Sequence, residues 1–500
     1  MKQLRCLITV LVLLTGFAVA QSTVRIGLAE DPDILDPDLA RTYVGRIVFA
    51  SLCDKLFEIT TDLEIVPQLA TEHSISEDGL TLTLGIREGV VFHDGTPLDA
   101  EAVKYNLERS LNLPGSNRRS EIQQIDSVEV TGEFTVQVNL SEPFTPLIAQ
   151  LSDRAGMMIS PTAAEESGEG FGNNPVCSGP FSFVRRVAQD RIELARFADY
   201  WDAENVLIDR VVFLPIPDAS VRLANLQSGD LDILERPAPT DLNTVRNDPN
   251  LELPSVPSLG YQGVTINLAN PEPRDHPLSQ DPRVREAFDL AIDRVALNQV
   301  VNDGEFIVGN QPVPPSSPWY IEDYPVLERD AARARELLSE AGHERVAVEL
   351  MVANSPISVQ TGEVIQAMVS EAGFDVSLRP TEFASALNLQ EEGQYDAFQV
   401  GWSGRLDPDG NIHQYHTCEG SLNQSGYCDE EVDRLLNRAR TVTAFEERHE
   451  AYRDAALIYL PARSIIYLFH QNLFFPHSNR LEGFQAYPDG LIRLKGVSVG

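Results

Sequence analysis

The sequence predicts an α/β protein of two or three domains, with an α+β subdomain inserted in its first half. Its 500 residues are too many for one small hydrophobic core. Hydrophobic residues make up 43% of the chain and charged residues 23%, a composition typical of globular proteins. Strand patterns and glycine turns dominate the first third, whereas helical and strand patterns alternate after residue 280.

Residues 1–20 have the pattern of a cleavable secretory signal peptide. Lys2 and Arg5 precede an apolar run from Leu7 to Val19, and small residues lie at positions 18 and 20. The run is shorter than the roughly 20 residues that a membrane span needs. We therefore expect the mature chain to be exported and to begin near residue 21.

Strand patterns and turns alternate between residues 64 and 140. Leucine or isoleucine occupies every second position of residues 80–86, which predicts a half-buried strand. Asp99 precedes a helical pattern that includes Val103 and Leu107, and aspartate is a preferred N-cap residue. A further strand pair is predicted on either side of Gly132. These signals together predict the α+β subdomain.

The second half begins with a predicted helix that Asp281 caps and Pro282 starts. Its apolar stripe is predicted to comprise Val284, Ala287, Phe288, Ala291, Ile292 and Val295. Later patterns predict helices over residues 330–341, 363–372 and 383–390, and a strand over residues 395–400. That strand leads into GWSGRLDPDGN, residues 401–411. Ligands of α/β sheets bind beyond the carboxyl ends of strands, so this loop is the first candidate site.

Charge and cysteine content exclude some classes of function. The formal net charge is −36 and becomes −38 once the signal peptide is removed, which disfavours a nucleic-acid partner. Four cysteines remain in the mature chain, and in an oxidising compartment they predict two disulfides. Cys418 and Cys428 are close in sequence and are natural partners, which leaves Cys53 for Cys177. Zinc is the weaker alternative because there is no CxxC pair.

The residues of the loop are compatible with catalysis, metal binding or ligand binding. Asp407 and Asp409 could be a catalytic carboxylate pair, but no nucleophile or catalytic motif accompanies them. His413 and His416 could bind a metal near Cys418, although isolated HxxH pairs are common and structural histidines are the favoured interpretation. For binding, Trp402 offers an apolar platform, Asp407 a partner for an ammonium and Arg405 one for a carboxylate. A turn-forming role for Asp407 remains equally plausible at this point, and Asp409 is interpreted as part of the turn.

Eight segments are distributed in a specific order along the mature chain. They are ILDPDLA, LCDKLFEI, SEDGLTLTLGIREGVVFHDGTPLDAEAVKYNLERS, SGPFSFV, VRLANLQSGDLDI, DPRVREAFDLAIDR, GWSGRLDPDGN and CDEEVDRLLNRAR. In this order they resemble the extracytoplasmic solute-binding proteins of ABC importers, in the dipeptide/oligopeptide/nickel-binding family (solute-binding protein family 5). The resemblance covers essentially the whole mature chain. It implies a two-lobed periplasmic-binding-protein fold with a hinge and an extra subdomain.

The resemblance also implies domain boundaries. Lobe I would comprise residues 21–265 and 471–500, with 51–174 as the extra subdomain, and lobe II would comprise residues 266–470. The hinge would lie near residues 262–267 and 468–472. The two predicted disulfides, Cys418–Cys428 and Cys53–Cys177, are consistent with the family.

The predicted ligand site follows from the same resemblance. Asp407 matches the aspartate that meets the ligand's α-amino group, and it is expected to weaken binding without unfolding when changed to Asn. The other expected ligand-binding residues are Gly401, Trp402, Arg405, Tyr43 and Arg46. Dipeptide binders carry a carboxylate-binding arginine in the helix that precedes FDVSL, whereas this chain has SPISVQTGEV there. Arg405 or Arg46 is expected to replace it.

The expected function is capture of small peptides or peptide-like solutes between the lobes and their delivery to a membrane permease and its ATPase. We expect no enzymatic activity, no cofactor, no metal and no nucleic-acid partner, a periplasmic location and a monomer. The alternatives are a receptor for a nickel or metal chelate, an opine or an oligosaccharide, and, less favoured, a secreted hydrolase.

Overall fold

A computed structural model describes residues 22–500, and the predicted signal peptide lies outside this range. Across the described residues, every helix is too short or too polar to span a bilayer. The strands are β1 (Thr23–Leu28), β2 (Phe57–Ile59), β3 (Ile65–Pro67), β4 (Ala70–Ile75), β5 (Thr81–Ile86), β6 (Ile125–Gly132), β7 (Thr135–Leu140), β8 (Phe181–Val187), β9 (Arg191–Arg196), β10 (Arg210–Pro215), β11 (Ile233–Leu234), β12 (Leu251–Glu252), β13 (Ser255–Pro257), β14 (Tyr261–Ile266), β15 (Ile307–Val308), β16 (Val346–Ala353), β17 (Phe374–Thr381), β18 (Ala397–Trp402), β19 (Ile465–His470), β20 (Asn472–Phe474), β21 (His477–Ser478), β22 (Leu481–Glu482) and β23 (Ser498–Val499).

The α-helices are α1 (Tyr43–Leu52), α2 (Ala100–Asn112), α3 (Arg119–Ile122), α4 (Leu147–Gln150), α5 (Pro161–Ser167), α6 (Ala219–Ser228), α7 (Leu242–Arg246), α8 (Pro277–Gln280), α9 (Pro282–Leu290), α10 (Arg294–Asn302), α11 (Ala331–Glu340), α12 (Pro356–Ser370), α13 (Phe383–Glu391), α14 (Asp409–His416), α15 (Glu430–Thr441) and α16 (Phe445–Ala462). Short 3-10 helices cover Arg154–Gly156, Gly168–Asn173, Ala203–Asn205 and Pro239–Asp241.

A seven-stranded mixed sheet with the order β12-β21-β11-β1-β10-β9-β8 forms the centre of the first lobe, called lobe I below. Strand β1 runs parallel to both β10 and β11, whereas β8 and β9 form an antiparallel hairpin beside β10. Val24, Ile26 and Phe213 of the sheet share a fully buried core with Ile47 and Val48 of α1. This packing fixes α1 against the sheet.

The inserted subdomain is built on the antiparallel sheet β4-β5-β7-β6. Leu82, Leu84 and Ile86 alternate inward along β5 and are buried, which confirms the predicted half-buried strand. Helix α2 packs on this sheet through Val103 and Leu107. The Asp99 side chain accepts a hydrogen bond from the backbone N–H of Ala102, as an N-cap does.

Lobe II contains a six-stranded sheet with the order β15-β19-β14-β18-β16-β17, in which β16 runs parallel to β17 and β18. Helices α9, α10, α11 and α12 share one buried core with this sheet. The molecule thus has two α/β lobes, as the sequence predicts.

Two chain segments connect the lobes and pair with each other as an antiparallel ribbon, β13 with β20. On either side of this ribbon the chain enters the six-stranded sheet, through β14 and β19. The predicted division after residue 265 falls within β14, and the predicted hinge segments overlap β14 and β19. The domain boundaries remain a prediction, with the β13–β20 ribbon as the structural candidate for the hinge.

The apolar stripe predicted from residue 284 onward holds only as far as Ile292. Asp281 caps α9 as expected, and Val284 and Phe288 are fully buried. However, α9 ends at Leu290, and Asp293 caps a new helix, α10. The restart changes the helical phase, so Val295 is 68% exposed instead of buried.

Both predicted disulfides are present. Cys53 at the end of α1 is bonded to Cys177, 124 residues later, and Cys418 is bonded to Cys428, 10 residues later. The first joins the end of α1 to the segment that precedes β8, and the second closes the loop between α14 and α15. The cysteines are therefore structural crosslinks and not zinc ligands.

Candidate functional site

The loop that follows β18 is held in one shape by the side chain of Asn411. Its Oδ1 accepts hydrogen bonds from Trp402 Nε1 at 3.0 Å and from the backbone N–H of Arg405 at 2.7 Å. Its Nδ2 donates to the Arg405 carbonyl at 2.9 Å. Gly404 has φ +83°, and a Cβ there would lie 2.3 Å from the Leu259 carbonyl carbon, so glycine is required. The loop presents Trp402 and Arg405 from a rigid base.

Arg405 reaches from lobe II toward lobe I. Its guanidinium lies 4.2 Å from the centre of the Trp402 ring, a cation–π contact. Its Nε lies 2.9 Å from Oδ2 of Asp153, which belongs to the lobe I side. The angle of this contact is not that of a hydrogen bond, and Nη2 also has no hydrogen-bond partner within residues 22–500. These unbonded nitrogens are nevertheless buried, because only 6% of the Arg405 side chain is exposed.

Helix α1 brings Arg46 to the same carboxylate from the opposite side. Thr42 caps α1 by accepting from the backbone N–H of Gly45, and Arg46 lies one turn into the helix. Arg46 Nε and Nη2 donate to Asp153 at 3.2 and 2.5 Å. Its Nη1 donates to Oγ of Ser403, in the GWSGRLDPDGN loop, at 3.0 Å. Arg46, Asp153 and Arg405 therefore form a buried contact across the two lobes.

Tyr43 lies one turn before Arg46 in α1, but its hydroxyl already forms a hydrogen bond within the protein. It donates to the Gly490 carbonyl at 2.7 Å. Burial raises the pKa of this phenol, so it stays a neutral donor. Its role in ligand binding remains a prediction.

The electrostatics of the contact follow from burial and from the two arginines. Burial alone raises the pKa of Asp153, but the charges of Arg405 and Arg46 outweigh it and hold the pKa well below its usual range. Burial lowers the pKa of Arg405 to about 10, against the opposing effect of Asp153. Both groups are ionised at neutral pH. Two buried guanidinium groups share one carboxylate, so the contact retains a net positive charge, which favours an additional carboxylate.

Asp407 is engaged by an arginine of its own lobe. Arg448 Nη1 and Nη2 donate to its two oxygens at 2.9 and 2.8 Å, and Oδ1 also accepts the backbone N–H of Asp409 at 3.0 Å. A carboxylate offers about four acceptor positions, so about one remains for a ligand. The proposed bond from Asp407 to a ligand ammonium remains a prediction.

Asp409 is not a turn residue. It begins α14, is fully buried, and receives Arg440 Nε and Nη2 at 2.6 and 3.0 Å. Gln150 from the subdomain lies 3.4 Å from its Oδ2. The two aspartates are each paired with a different arginine, which leaves neither arranged as a catalytic partner of the other.

Gly401 packs closely against a neighbouring strand, and His413 and His416 are each within hydrogen-bonding distance of another side chain. A Cβ on Gly401 would lie 2.2 Å from Gln262 Nε2, so this glycine allows close packing of β18 on β14. His413 Nε2 lies 2.8 Å from Asn437 Oδ1, and His416 Nε2 lies 2.8 Å from the Tyr467 hydroxyl. Among residues 22–500, no group of three or more His, Cys, Asp or Glu side chains is arranged to hold a metal ion.

The sequence of the central part of the chain decides its family. Residues 64–423 match the model of the bacterial extracellular solute-binding proteins, family 5 Middle. The chain belongs to this family of solute-binding proteins. It is the solute-binding component of an ABC importer.

Known relatives of this solute-binding protein cover nearly its whole length. It is 29% identical over 485 residues to the glutathione-binding protein GsiB of Salmonella paratyphi A, which spans 94% of this chain and 93% of that one. The fold is similar to that of the periplasmic binding protein DppA of Helicobacter pylori (TM-score 0.88, 23% identity, 96% and 98% coverage). It is also similar to the oligopeptide-binding protein AppA of Bacillus subtilis (TM-score 0.87, 22% identity, 96% and 99% coverage).

Of the predicted site residues, Trp402, Arg405 and Arg46 lie together in this solute-binding protein. Asp153, which contacts both arginines, was not predicted from the sequence. Asp153 carries no motif of its own. The available signal was the pair Asp153-Arg154, the only charged residues in the segment from Leu147 to Ile159. A charged pair in such an apolar segment predicts buried charges with specific partners, but it does not identify those partners.

Proposed function

We propose that this protein captures a small peptide-like solute between its lobes and binds a carboxylate of that solute with Arg405. The observation that carries the proposal is the buried guanidinium of Arg405 at the contact between the lobes, with Nη2 unbonded within residues 22–500. A planar guanidinium binds a carboxylate through parallel N–H donors. Arg405 and Arg46 thereby take the place of the arginine that is missing from residues 355–364.

Burial makes this binding specific. Arg405 lies against the Trp402 ring of its own lobe, and Asn411 binds its backbone, so its position is defined before a ligand arrives. Asp153, which also binds Arg46, meets Arg405 where the lobes touch. A solute without a carboxylate leaves buried donors unsatisfied, which is unfavourable. Peptides and amino-acid conjugates therefore fit the site better than neutral sugars.

The curated relatives support a peptide-like solute. Several proteins that are 28–29% identical to this chain over 93–95% of its length are glutathione-binding proteins. Glutathione is a tripeptide with carboxylates at both ends and one ammonium group. We propose glutathione and short peptides as the first compounds to test, with Asp407 as the partner of the ammonium group.

The proposed cellular role follows from the family and the sequence. The signal-like pattern of residues 1–20 supports export to the periplasm, where a monomer would collect solute and present it to a permease and its ATPase. The protein would bind its solute without chemical change. Closure of the two lobes on the β13–β20 ribbon would bury the solute before delivery.

Native mass spectrometry tests this proposal. The purified protein is measured as isolated and after addition of an equimolar mixture of glutathione, di- and tripeptides, mannobiose and nickel–histidine. We expect a 1:1 adduct with a peptide-like compound, either copurified or selected from the mixture. An adduct with the sugar or with the nickel chelate alone contradicts the proposal, and so does the absence of any peptide adduct.

A further inference from the structure

A cluster of four buried arginines surrounds the contact between the lobes, and it contains more positive than negative charge. The arginine cluster comprises Arg46, Arg118, Arg154 and Arg405, which are between 2% and 6% exposed. Its carboxylates are Asp153, which faces Arg46 and Arg405, and Glu121, which is paired with Arg118 and lies 4.0 Å from Arg405. Asp489 also faces Arg46, but it is bound to Arg493. The cluster thus has an excess of two positive charges.

The arginine cluster also contains donors that have no acceptor. Nε of Arg118, Nε of Arg154 and Nη2 of Arg405 have no hydrogen-bond partner within the described part of the chain. Nη1 of Arg154 donates only to a neutral acceptor, the Ala40 carbonyl, at 2.7 Å. Burial and the charges of Arg118 and Arg405 lower the pKa of Arg154 well below its usual range. Buried donors without acceptors are costly, so an anion that reaches them would be bound favourably.

One ligand carboxylate at Arg405 neutralises only half of this excess. A second anionic group would meet the unbonded donors of Arg118 and Arg154, on the lobe I side. Glu121 is already counted in this balance: its Oε1 is paired with Arg118, and its Oε2 has no hydrogen-bond partner within residues 22–500. The charge balance therefore constrains the ligand as well as the protein.

We propose that the solute carries two anionic groups, and that Arg154 and Arg118 bind the second while Arg405 binds the first. This inference rests on the proposed function, because it assigns a solute class to the same site. The class is that of dicarboxylic peptides and amino-acid conjugates. Peptides with a single carboxylate would leave Arg154 without an anion and would bind more weakly.

Isothermal titration calorimetry with ligand pairs that differ in one carboxylate tests this inference. The first pair is glutathione and its glycine monoethyl ester, and the second is Ala-Glu and Ala-Gln. For the full-length mature protein we expect the compound with two carboxylates to bind at least about 10-fold more tightly within at least one pair, as the loss of one charge-assisted hydrogen bond predicts. Equal affinities within each pair, or tighter binding of the ester or amide, would overturn it.

The variant Arg154→Gln locates the second anionic group. It keeps a donor for the Ala40 carbonyl but removes the charge, so we expect glutathione and its ester to bind within about threefold of each other. Arg154→Lys should restore the preference. A preference that persists in a folded Arg154→Gln variant overturns the assignment. If this variant does not fold, the two ligand pairs on the unmodified protein still decide the inference.

The two proposals fail in different ways. If peptides bind but one carboxylate serves as well as two, the dianion inference is wrong and the proposed function stands. If neither member of either pair binds and native mass spectrometry shows no peptide adduct, the proposed function fails and the inference fails with it.

Discussion

Asp407 is bound to Arg448 inside lobe II, and this pair makes its substitution a test of folding as well as of binding. Asp407→Asn leaves the 5%-exposed Arg448 without a counter-charge. Breaking a buried ion pair typically costs about 3–5 kcal/mol. Because Asp407 is 14% exposed, we expect the lower end of this range, a fall of about 3 kcal/mol in the free energy of unfolding in urea titrations. The structure thus changes the expectation, drawn from sequence, that this variant affects affinity alone.

A double-mutant cycle identifies the cause of the effect. Adding Arg448→Gln to Asp407→Asn should recover part of the lost stability, because it removes the unpaired charge. Calorimetry on the same variants measures affinity separately. Unchanged stability of Asp407→Asn would contradict the buried pair, and unchanged affinity would remove Asp407 from the ligand site.

At the residue scale, the sequence predicted the lobe II half of the site better than the lobe I half. Trp402 and Arg405 were recognisable because their loop directly follows a strand. Asp153 was not, because its partners Arg46 and Arg405 are 107 and 252 positions away. Contacts at such separations depend on how the lobes meet, which a local pattern does not encode.

At the scale of elements, the caps and strand alternation were predictable and the helix restart was not. Asp99 and Asp281 cap their helices because each binds backbone N–H groups within its own turn. The break between α9 and α10 interrupts an otherwise continuous helical pattern at Asp293. An aspartate in a helical pattern fits both an exposed helix position and an N-cap, so the pattern alone did not distinguish them.

The two disulfides should differ in what they contribute. The entropy of loop closure gives about 5 kcal/mol for a separation of 124 residues and about 3 kcal/mol for one of 10. We expect the Cys53→Ser/Cys177→Ser variant to lose more unfolding free energy than Cys418→Ser/Cys428→Ser in parallel urea titrations. A larger loss for the second variant would show that local effects of the short loop outweigh chain entropy.

At the scale of the whole molecule, several contacts join the two lobes. Arg41 binds Glu391 at 3.0 Å, Arg246 binds Glu305 at 2.7 Å, and the backbone N–H of Thr145 donates to the Arg440 carbonyl at 2.8 Å. The ion pairs on the surface are worth little individually. The buried Arg46–Asp153–Arg405 contact is therefore the best candidate for coupling closure to solute binding.

Acid should destabilise the folded protein through buried histidines. Burial lowers the pKa of His413 to about 4 and that of His416 to about 3, against 6.5 in an unfolded chain. Below pH 6.5 the unfolded chain therefore takes up protons that the folded protein does not. The contribution of these histidines to the stability of the folded protein is complete above about pH 6.5. It is lost progressively as the pH falls toward their folded-state pKa values.

The variant His413→Gln measures one of these contributions. Between about pH 6 and pH 4.5, we expect its unfolding free energy to depend less steeply on pH, by up to about 1.4 kcal/mol per pH unit. The exposed surface variant Arg434→Gln serves as a control and should retain the slope of the unmodified protein. An unchanged slope for His413→Gln would mean that this imidazole is protonated in the folded state.

Arg405 is proposed to bind the solute between the lobes, and the affinity of Arg405→Gln for glutathione tests this role. Calorimetry would compare it with the unmodified protein and with Arg434→Gln, after thermal melts confirm that all three are folded. We predict at least about a 30-fold loss of affinity for Arg405→Gln, as expected for a buried charge pair, and less than about a twofold change for Arg434→Gln. Equal affinity of folded Arg405→Gln and the unmodified protein would contradict the claim.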